Sequence, residues 1–139
     1  MQSLIQITLV VDDYDTALAF YVGKLGFELI EDTQLDEHKR WVVISCGEGA
    51  ALLLAKAEGE PQQQAIGQQV GGRVGFFLAT DNLARDYEAY TSMGVIFVRE
   101  PETSEYGTVA VFQDLYGNLW DLIEHQPGHR FALRQPNEY

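Results

Sequence analysis

Apolar runs separated by glycine-containing turns follow one another along the chain. Ser3–Val11 is rich in β-branched residues and alternates with period two, which predicts a β-strand. From Tyr14 to Leu25 apolar residues recur at helical spacing, and Gly26 suits a left-handed helix end. Further strands are predicted at Phe27–Glu31, Arg40–Cys46 and Ala50–Ala55, with a polar loop at Thr33–Lys39. The first half of the chain therefore predicts a β-α-β-β-β unit.

The second half repeats this pattern at a constant distance along the sequence. Gly26 recurs as Gly94 and Gly49 recurs as Gly117, an offset of 68 residues. The second unit is predicted to contain a helix from Leu83 that ends at Gly94, strands at Arg73–Thr80, Val95–Arg99, Gly107–Gln113 and Asn118–Glu124, and a loop at Glu100–Tyr106 around Pro101. The chain is therefore interpreted as two copies of one module.

Two such modules predict a single domain of the α+β class. Each curved sheet is expected to carry its helix on the outside, and the inner faces are expected to meet around a shared cup. Module one covers about 1–57 and module two about 72–125. Between them, about 58–71 is rich in glycine and glutamine and predicts a connector with a short helix over Gln62–Gln68. Residues 126–139 are expected to form a surface tail.

Charge and composition narrow the classes of partner and compartment. The formal net charge is −12, with 21 acidic and 9 basic residues, which argues against a nucleic-acid partner because phosphate contacts need clustered basic residues. No apolar run approaches the ~20 residues of a membrane-spanning helix, and the N-terminal residues lack the features of a signal peptide. The single cysteine, Cys46, favours a reducing, cytoplasmic setting.

Asp121 is the first candidate for a functional residue. It lies between Trp120 and Leu122 in the last predicted strand, where a carboxylate is costly to bury without a partner. It can hold a cationic or hydrogen-bonding ligand, or act as a catalytic general base if desolvation raises its pKa. It can equally form a structural ion pair with Arg40 or Arg73. The residues themselves leave these alternatives open.

Five further residues are candidates for the lining of the cup. Alternation places Gln6 and Thr8 on the mixed face of the first strand, where Gln6 either contacts a ligand or is a satisfied buried amide. Arg40 and Trp41 are adjacent in the third strand, so one of them faces inward. Arginine suits a carboxylate or phosphate, and tryptophan suits a flat apolar ligand. Tyr106 is expected in a loop over the mouth of the cup, as a lid.

Three stretches give the chain a resemblance to a known superfamily. They are VVDDYDTALAFYVGKLGFEL near the start, ARDYEAYTSMGVIF in the second copy and FQDLYGNLWDLIE near the end. The chain resembles the vicinal oxygen chelate superfamily, which includes glyoxalase I, bleomycin-resistance proteins and extradiol dioxygenases. The resemblance implies the paired-module fold, a small-molecule ligand and a homodimer. It does not name an activity, because one scaffold carries many functions.

The resemblance also implies where a metal would be bound. In the family's metal enzymes the ligands occupy equivalent strand positions that face the cup, and these align with Gln6, Val74 or Gly75, Leu53 and Asp121. Valine and leucine cannot bind a metal, whereas catalytic sites usually take at least three protein ligands. No cofactor is therefore expected. A divalent metal would have to rely on Gln6 and Asp121.

The sequence thus favours a small-molecule-binding protein similar to bleomycin-resistance proteins. The ligand, expected to be cationic and partly aromatic, would lie in the cup against Gln6, Asp121 and an aromatic wall. One alternative is a metal-dependent lyase or isomerase related to glyoxalase I, or a dioxygenase-like enzyme. Another is a structural or regulatory domain whose cup is filled by side chains. Whether the protein is an enzyme stays open at this point.

Overall fold

The computed structural model describes residues 1–133. The chain divides into two compact units, Met1–Gly71 and Gly72–Tyr139. Part of the predicted tail, 134–139, lies outside the described residues. Within residues 1–133 no helix combines the length and the apolar character that a bilayer crossing requires.

The first unit contains one sheet of four strands. Its elements are β1 (Gln6–Val11), α1 (Tyr14–Tyr21), β2 (Glu28–Gln34), β3 (Arg40–Ser45), β4 (Ala51–Lys56) and α2 (Glu60–Ala65). The strand order is β1-β4-β3-β2, with β1 parallel to β4 and the other pairs antiparallel. Helix α1 begins where the Asp13 carboxylate accepts a hydrogen bond from the backbone N–H of Thr16 at 2.9 Å. This helix packs on β4 and buries Ala17, Phe20 and Tyr21.

The second unit repeats this arrangement. Its elements are β5 (Val74–Ala79), α3 (Leu83–Ser92), β6 (Ile96–Ser104), β7 (Gly107–Gln113) and β8 (Leu119–His125). The strand order is β5-β8-β7-β6, and β5 is parallel to β8. Asn82 begins α3 by accepting a hydrogen bond from the backbone N–H of Arg85 at 3.0 Å. The predicted fold class, α+β with two tandem β-α-β-β-β modules, is confirmed.

Two strands are longer than their local composition indicates. β2 continues to Gln34 because Thr33 and Gln34 pair with the start of β3, so the predicted loop begins later than Thr33. β6 continues to Ser104, and the loop predicted at Glu100–Tyr106 is wrong over most of its length. Pro101 is tolerated there because β6 is an edge strand whose register shifts between Arg99 and Glu102.

Candidate functional site

The two faces of the second sheet have different surroundings. One face packs against α3, where the ring of Tyr90 lies 5.4 Å from that of Phe112 and the ring of Tyr87 lies 4.5 Å from that of Phe97. We call the other face, which α3 does not cover, the helix-free face of the second sheet. The register of the four strands gives it three rows of residues: Val74, Leu119, Gln113 and Ile96; Phe77, Asp121, Val111 and Arg99; Ala79, Ile123, Val109 and Glu102.

Asp121 occupies the middle row of this face. Its neighbours across the adjacent strands are Phe77, which is 67% exposed, and Val111, which is buried. Burial raises the pKa of the Asp121 carboxyl, and the positive charge of Arg99 opposes this rise. None of the hydrogen bonds and ion pairs found within residues 1–133 involves the Asp121 carboxylate. It is therefore a partly desolvated acid without a satisfied partner in the described part of the chain.

Arg40, a possible ion-pair partner of Asp121, has other partners. Its guanidinium makes two bonds to Asp32, at 3.1 and 2.7 Å, and one to Asp15 of α1 at 2.8 Å. It also lies 5.2 Å from the centre of the Tyr14 ring. Arg40 is thus on the face of the first sheet that packs against α1.

Trp41 follows Arg40 in β3 and so points to the opposite face. We call this the helix-free face of the first sheet. Trp41 is 36% exposed, so it is available there for contact with a flat ligand. Of the adjacent pair, the structure assigns Trp41 rather than Arg40 to the face on which a ligand was predicted.

Gln6 and Thr8 also lie on the helix-free face of the first sheet. Thr8 pairs with Leu53 and Gln6 pairs with Ala51, two residues earlier in β4. In the second sheet, Asp121 pairs with Phe77 and Leu119 pairs with Val74. The pairing therefore selects Val74, rather than Gly75, as the counterpart of Gln6, and it keeps Leu53 as the counterpart of Asp121.

The donors at these four positions do not fit a metal site of the family's usual kind. Val74 and Leu53 offer no donor atom, and Gln6 offers only a neutral amide. Within residues 1–133, no three His, Cys, Asp or Glu side chains lie close enough together to hold a metal ion. Catalytic metals usually need about three protein ligands. The aligned positions therefore do not present the donor set that such a site requires.

Tyr106 lies at the far end of the second sheet from the middle row. It is 72% exposed in the turn between β6 and β7, and its carbonyl oxygen accepts a bond from Gln126 N–H at 3.0 Å. The next residue, Gly107, pairs with His125, which is four residues beyond Asp121 in β8. Four strand residues span about 14 Å. Tyr106 is therefore exposed as a lid residue would be, but it does not adjoin Asp121.

His125 and His129 form a stacked pair that sequence reasoning missed. Their rings lie 4.2 Å apart and nearly parallel, and Phe131 borders both. Burial, with a smaller effect from the charge of His129, lowers the pKa of His125. The stacking holds the segment after β8 against the strand end, with His125 half-buried and His129 exposed. Histidine spacing alone carries no signal for such stacking.

Asp114 is a second carboxylate whose role the sequence did not reveal. It is 4% exposed and accepts bonds from the backbone N–H groups of Tyr116 and Asn118, at 3.0 and 2.9 Å. Its other oxygen accepts from the Asn118 amide at 2.9 Å and from the Trp120 indole at 3.0 Å. These bonds fix the turn that delivers β8, and hence Asp121, to the sheet. An aspartate at the start of the sequence DLYGN was the available signal.

A shallow cleft lies on the other side of the second sheet. It measures about 760 Å³ and is lined by α3 residues, including Leu83 and Tyr87, and by residues of the neighbouring strands, including Pro101, Thr108 and Glu124. Glu124 accepts a bond from the Leu83 N–H at 2.8 Å, so its carboxylate serves the start of α3. The cleft contains none of the residues predicted to contact a ligand.

A comparison with known protein families gives a match over most of the chain. The model of the Glyoxalase/Bleomycin resistance protein/Dioxygenase superfamily matches residues 3–122. The chain belongs to this superfamily. The resemblance seen in the sequence is therefore confirmed, and the match covers both modules up to Leu122 in β8.

Individual relatives support the same assignment. A protein of Shewanella frigidimarina (strain NCIMB 400) is 56% identical over 126 residues, which cover 88% of this chain and 93% of the relative. YurT of Bacillus subtilis (strain 168) is 30% identical over 119 residues, which cover 82% and 92%. The crystal structure of UcmS2 has a TM-score of 0.75 at 32% identity, covering 88% of this chain and 98% of UcmS2. That of TnmS3, an antibiotic binding protein from Streptomyces sp. CB03234, has a TM-score of 0.72 at 26% identity, covering 91% and 98%.

Proposed function

We propose that this superfamily member binds a small molecule that carries a cationic group and a partly aromatic body, without chemical conversion. The ligand contacts the helix-free face of the second sheet, with its cationic group at Asp121. Gln6, Thr8 and Trp41 line the corresponding face of the first sheet and are the further candidates for ligand contact.

The observation that carries this proposal is the state of the Asp121 carboxylate. It is partly desolvated, its pKa is raised by burial, and it has no hydrogen bond or ion pair within residues 1–133. A partly desolvated carboxylate without a partner costs stability, so a cationic ligand that satisfies it gains binding free energy. The exposed ring of Phe77 and the apolar side chains of Leu119 and Ile123 surround it with apolar surface.

Two further facts support a binding function. The net charge of −12 favours the approach of cations over anions. Among structural relatives, TnmS3 is described as an antibiotic binding protein, which is a precedent for small-molecule binding on this scaffold.

A thermal-shift screen tests the proposal. Aromatic compounds matched in size and differing in charge are added to the purified protein, and the cationic members are expected to raise its melting temperature. Asp121→Asn should abolish that rise. Glu31→Gln is the matched control, because Glu31 also bears a carboxylate and lies in the equivalent row of the first sheet, beside Val43. The proposal fails if no cationic compound stabilises the protein, or if Asp121→Asn and Glu31→Gln respond alike.

We also propose that the protein is a homodimer, as the family resemblance implies, and that it is cytoplasmic, as its single cysteine favours. Each sheet has an edge strand with free pairing capacity, β2 in the first and β6 in the second. Every residue of β2 is exposed within the single chain. Light scattering coupled to size-exclusion chromatography should give twice the mass of one chain, and a monomer at micromolar concentration would refute this part of the proposal.

A further inference from the structure

Arg99 shares the middle row of the helix-free face with Asp121. Asp121 pairs with Val111 of β7, and Val111 pairs with Arg99 of β6. The backbones of Asp121 and Arg99 are therefore two strand spacings apart, about 10 Å. The positive charge of Arg99 acts to lower the pKa of Asp121, yet the two side chains form no ion pair.

Among the twelve residues of the three rows, Arg99 is the only basic one. The other charged residues there are Asp121 and Glu102. Within residues 1–133, no hydrogen bond or ion pair was found for the Arg99 guanidinium. By contrast, Arg40 and Arg85 each engage two carboxylates. Arg99 is thus available to an external anion.

The first sheet does not repeat this pair of charges. Its equivalent row contains Thr8, Leu53, Val43 and Glu31, so leucine stands at the position of Asp121 and glutamate at that of Arg99. The two opposite charges therefore belong to the second module alone and are not a consequence of the duplicated fold. Aliphatic Val111 separates them and provides no polar link.

We infer that the ligand is amphoteric: its ammonium or guanidinium group binds Asp121, and a carboxylate or phosphate on the same molecule binds Arg99. This inference rests on the proposed binding function and specifies its ligand class. In a chain with 21 acidic and 9 basic residues, a local cation is needed to offset the overall repulsion of an anionic group. Arg99 supplies that cation at a distance from Asp121 that a small molecule can span.

The probe is the tripeptide phenylalanyl-glycyl-phenylalanine. Its terminal ammonium and carboxylate groups are at most about 10 Å apart when it is extended, and its rings suit an apolar surface. Binding is measured by calorimetry at low ionic strength for the free peptide, its N-acetylated form and its C-amidated form. The free peptide is expected to bind about fivefold more tightly than either capped form, the upper range for one partly exposed ion pair.

Variants then assign each charge to its residue. Arg99→Gln should remove the preference for the free peptide over the C-amidated form, and Asp121→Asn should remove its preference over the N-acetylated form. Lys24→Gln is the control, because it removes one positive charge from an exposed position after α1. Circular dichroism verifies that each variant is folded.

The inference is overturned if the free peptide does not bind more tightly than each of the two capped forms. A complete absence of peptide binding counts as that outcome. It is also overturned if Arg99→Gln weakens all three forms equally, in which case Arg99 is a solvated residue that discourages pairing at the edge of β6. Neither result contradicts the proposed function. That function stands as long as cationic aromatic compounds stabilise the wild-type protein and do not stabilise the Asp121→Asn variant.

Discussion

At the scale of single residues, Asp114 supports the strand that carries the candidate site. Its carboxylate accepts two backbone and two side-chain hydrogen bonds while almost fully buried. Asp114→Ala should lower the free energy of unfolding by about 3 kcal/mol or more, because it leaves buried donors unsatisfied. Urea denaturation measures this loss.

Asp36→Ala is the matched control for Asp114→Ala. Asp36 also accepts two backbone hydrogen bonds, from His38 and Lys39 at 2.7 Å each, but it is exposed to solvent. Water replaces its bonds, so the loss should be much smaller. Equal losses for the two variants would show that burial of Asp114 does not determine its contribution.

Asp121 should make the stability of the protein depend on pH in the direction opposite to a paired aspartate. Its pKa is raised in the folded state, so the folded protein binds this proton more tightly than the unfolded chain. The resulting stability is present below the ordinary pKa of aspartate, about 4, and is lost as the pH rises through the raised value. Asp121→Asn should therefore be more stable than the wild type at neutral pH, and this advantage should shrink in acid.

Asp32→Asn provides the control of opposite sign. Hydrogen bonding to Arg40 lowers the pKa of Asp32, so its contribution is present at neutral pH and is lost as the pH falls through the lowered value. Urea denaturation midpoints measured across acid and neutral pH should thus diverge for the two variants. A neutral-pH loss for Asp121→Asn would contradict the assignment of Asp121 as a desolvated, unsatisfied acid.

Strand alternation predicted part of the candidate site. The residues that it left undecided or missed can be named, and each has a structural reason. It singled out Asp121 because an acid inside an apolar strand is visible in the sequence. It left Arg40 and Trp41 undecided, since alternation separates two faces without saying which face packs on the helix. It missed Arg99 because β6 has two register shifts, on either side of that residue, and no local pattern reveals them.

At the scale of elements, the connector protects an edge of the first sheet. β1 is an edge strand, and the Gln69 side chain bonds to it twice: its carbonyl accepts from Val10 N–H at 2.7 Å, and its amide donates to the Thr8 carbonyl at 2.8 Å. The sequence predicted a connector with a short helix, which the structure has at Glu60–Ala65. The bond to a strand 59 residues away depends on tertiary structure and has no local signature.

Gln69→Ala should destabilise the protein by about 1–2 kcal/mol, because it leaves one backbone donor and one acceptor of β1 without these partners. Hydrogen exchange of the Val10 amide should become faster in the same variant. Gln68→Ala is the control, since Gln68 is exposed and its bonds are those of the backbone: its N–H donates to the Ala65 carbonyl, and its carbonyl accepts from the Gly71 N–H. If both variants exchange at Val10 as the wild type does, the glutamine bridge does not protect this edge.

At the scale of the whole molecule, the duplication of the module made the fold predictable from the sequence. Each module supplied an independent instance of the same order of elements, so weak signals in one were supported by the other. Function was less accessible because the copies differ where chemistry is concentrated: Leu53 corresponds to Asp121, and Cys46 corresponds to buried Asp114. Family membership does not resolve this, since the matching superfamily joins glyoxalases, resistance proteins and dioxygenases.

Metal content separates the proposed binding function from the metal-dependent lyase that the family also suggests. At the four aligned positions, Asp121 is the only charged donor, Gln6 is neutral, and Val74 and Leu53 offer none. One charged ligand and one amide fall short of the about three ligands that catalytic metals usually require. Protein purified without chelators and then incubated with Ni²⁺, Zn²⁺ or Mn²⁺ should therefore retain, after desalting, well under one equivalent of metal per chain by elemental analysis. Its melting temperature should also be insensitive to EDTA.

Glu102→Gln is the control for Asp121→Asn in this measurement, because Glu102 lies on the same face without being an aligned ligand position. If the protein held stoichiometric metal that Asp121→Asn removed and Glu102→Gln retained, the prediction would be contradicted. A metal-dependent enzyme would then be the better description.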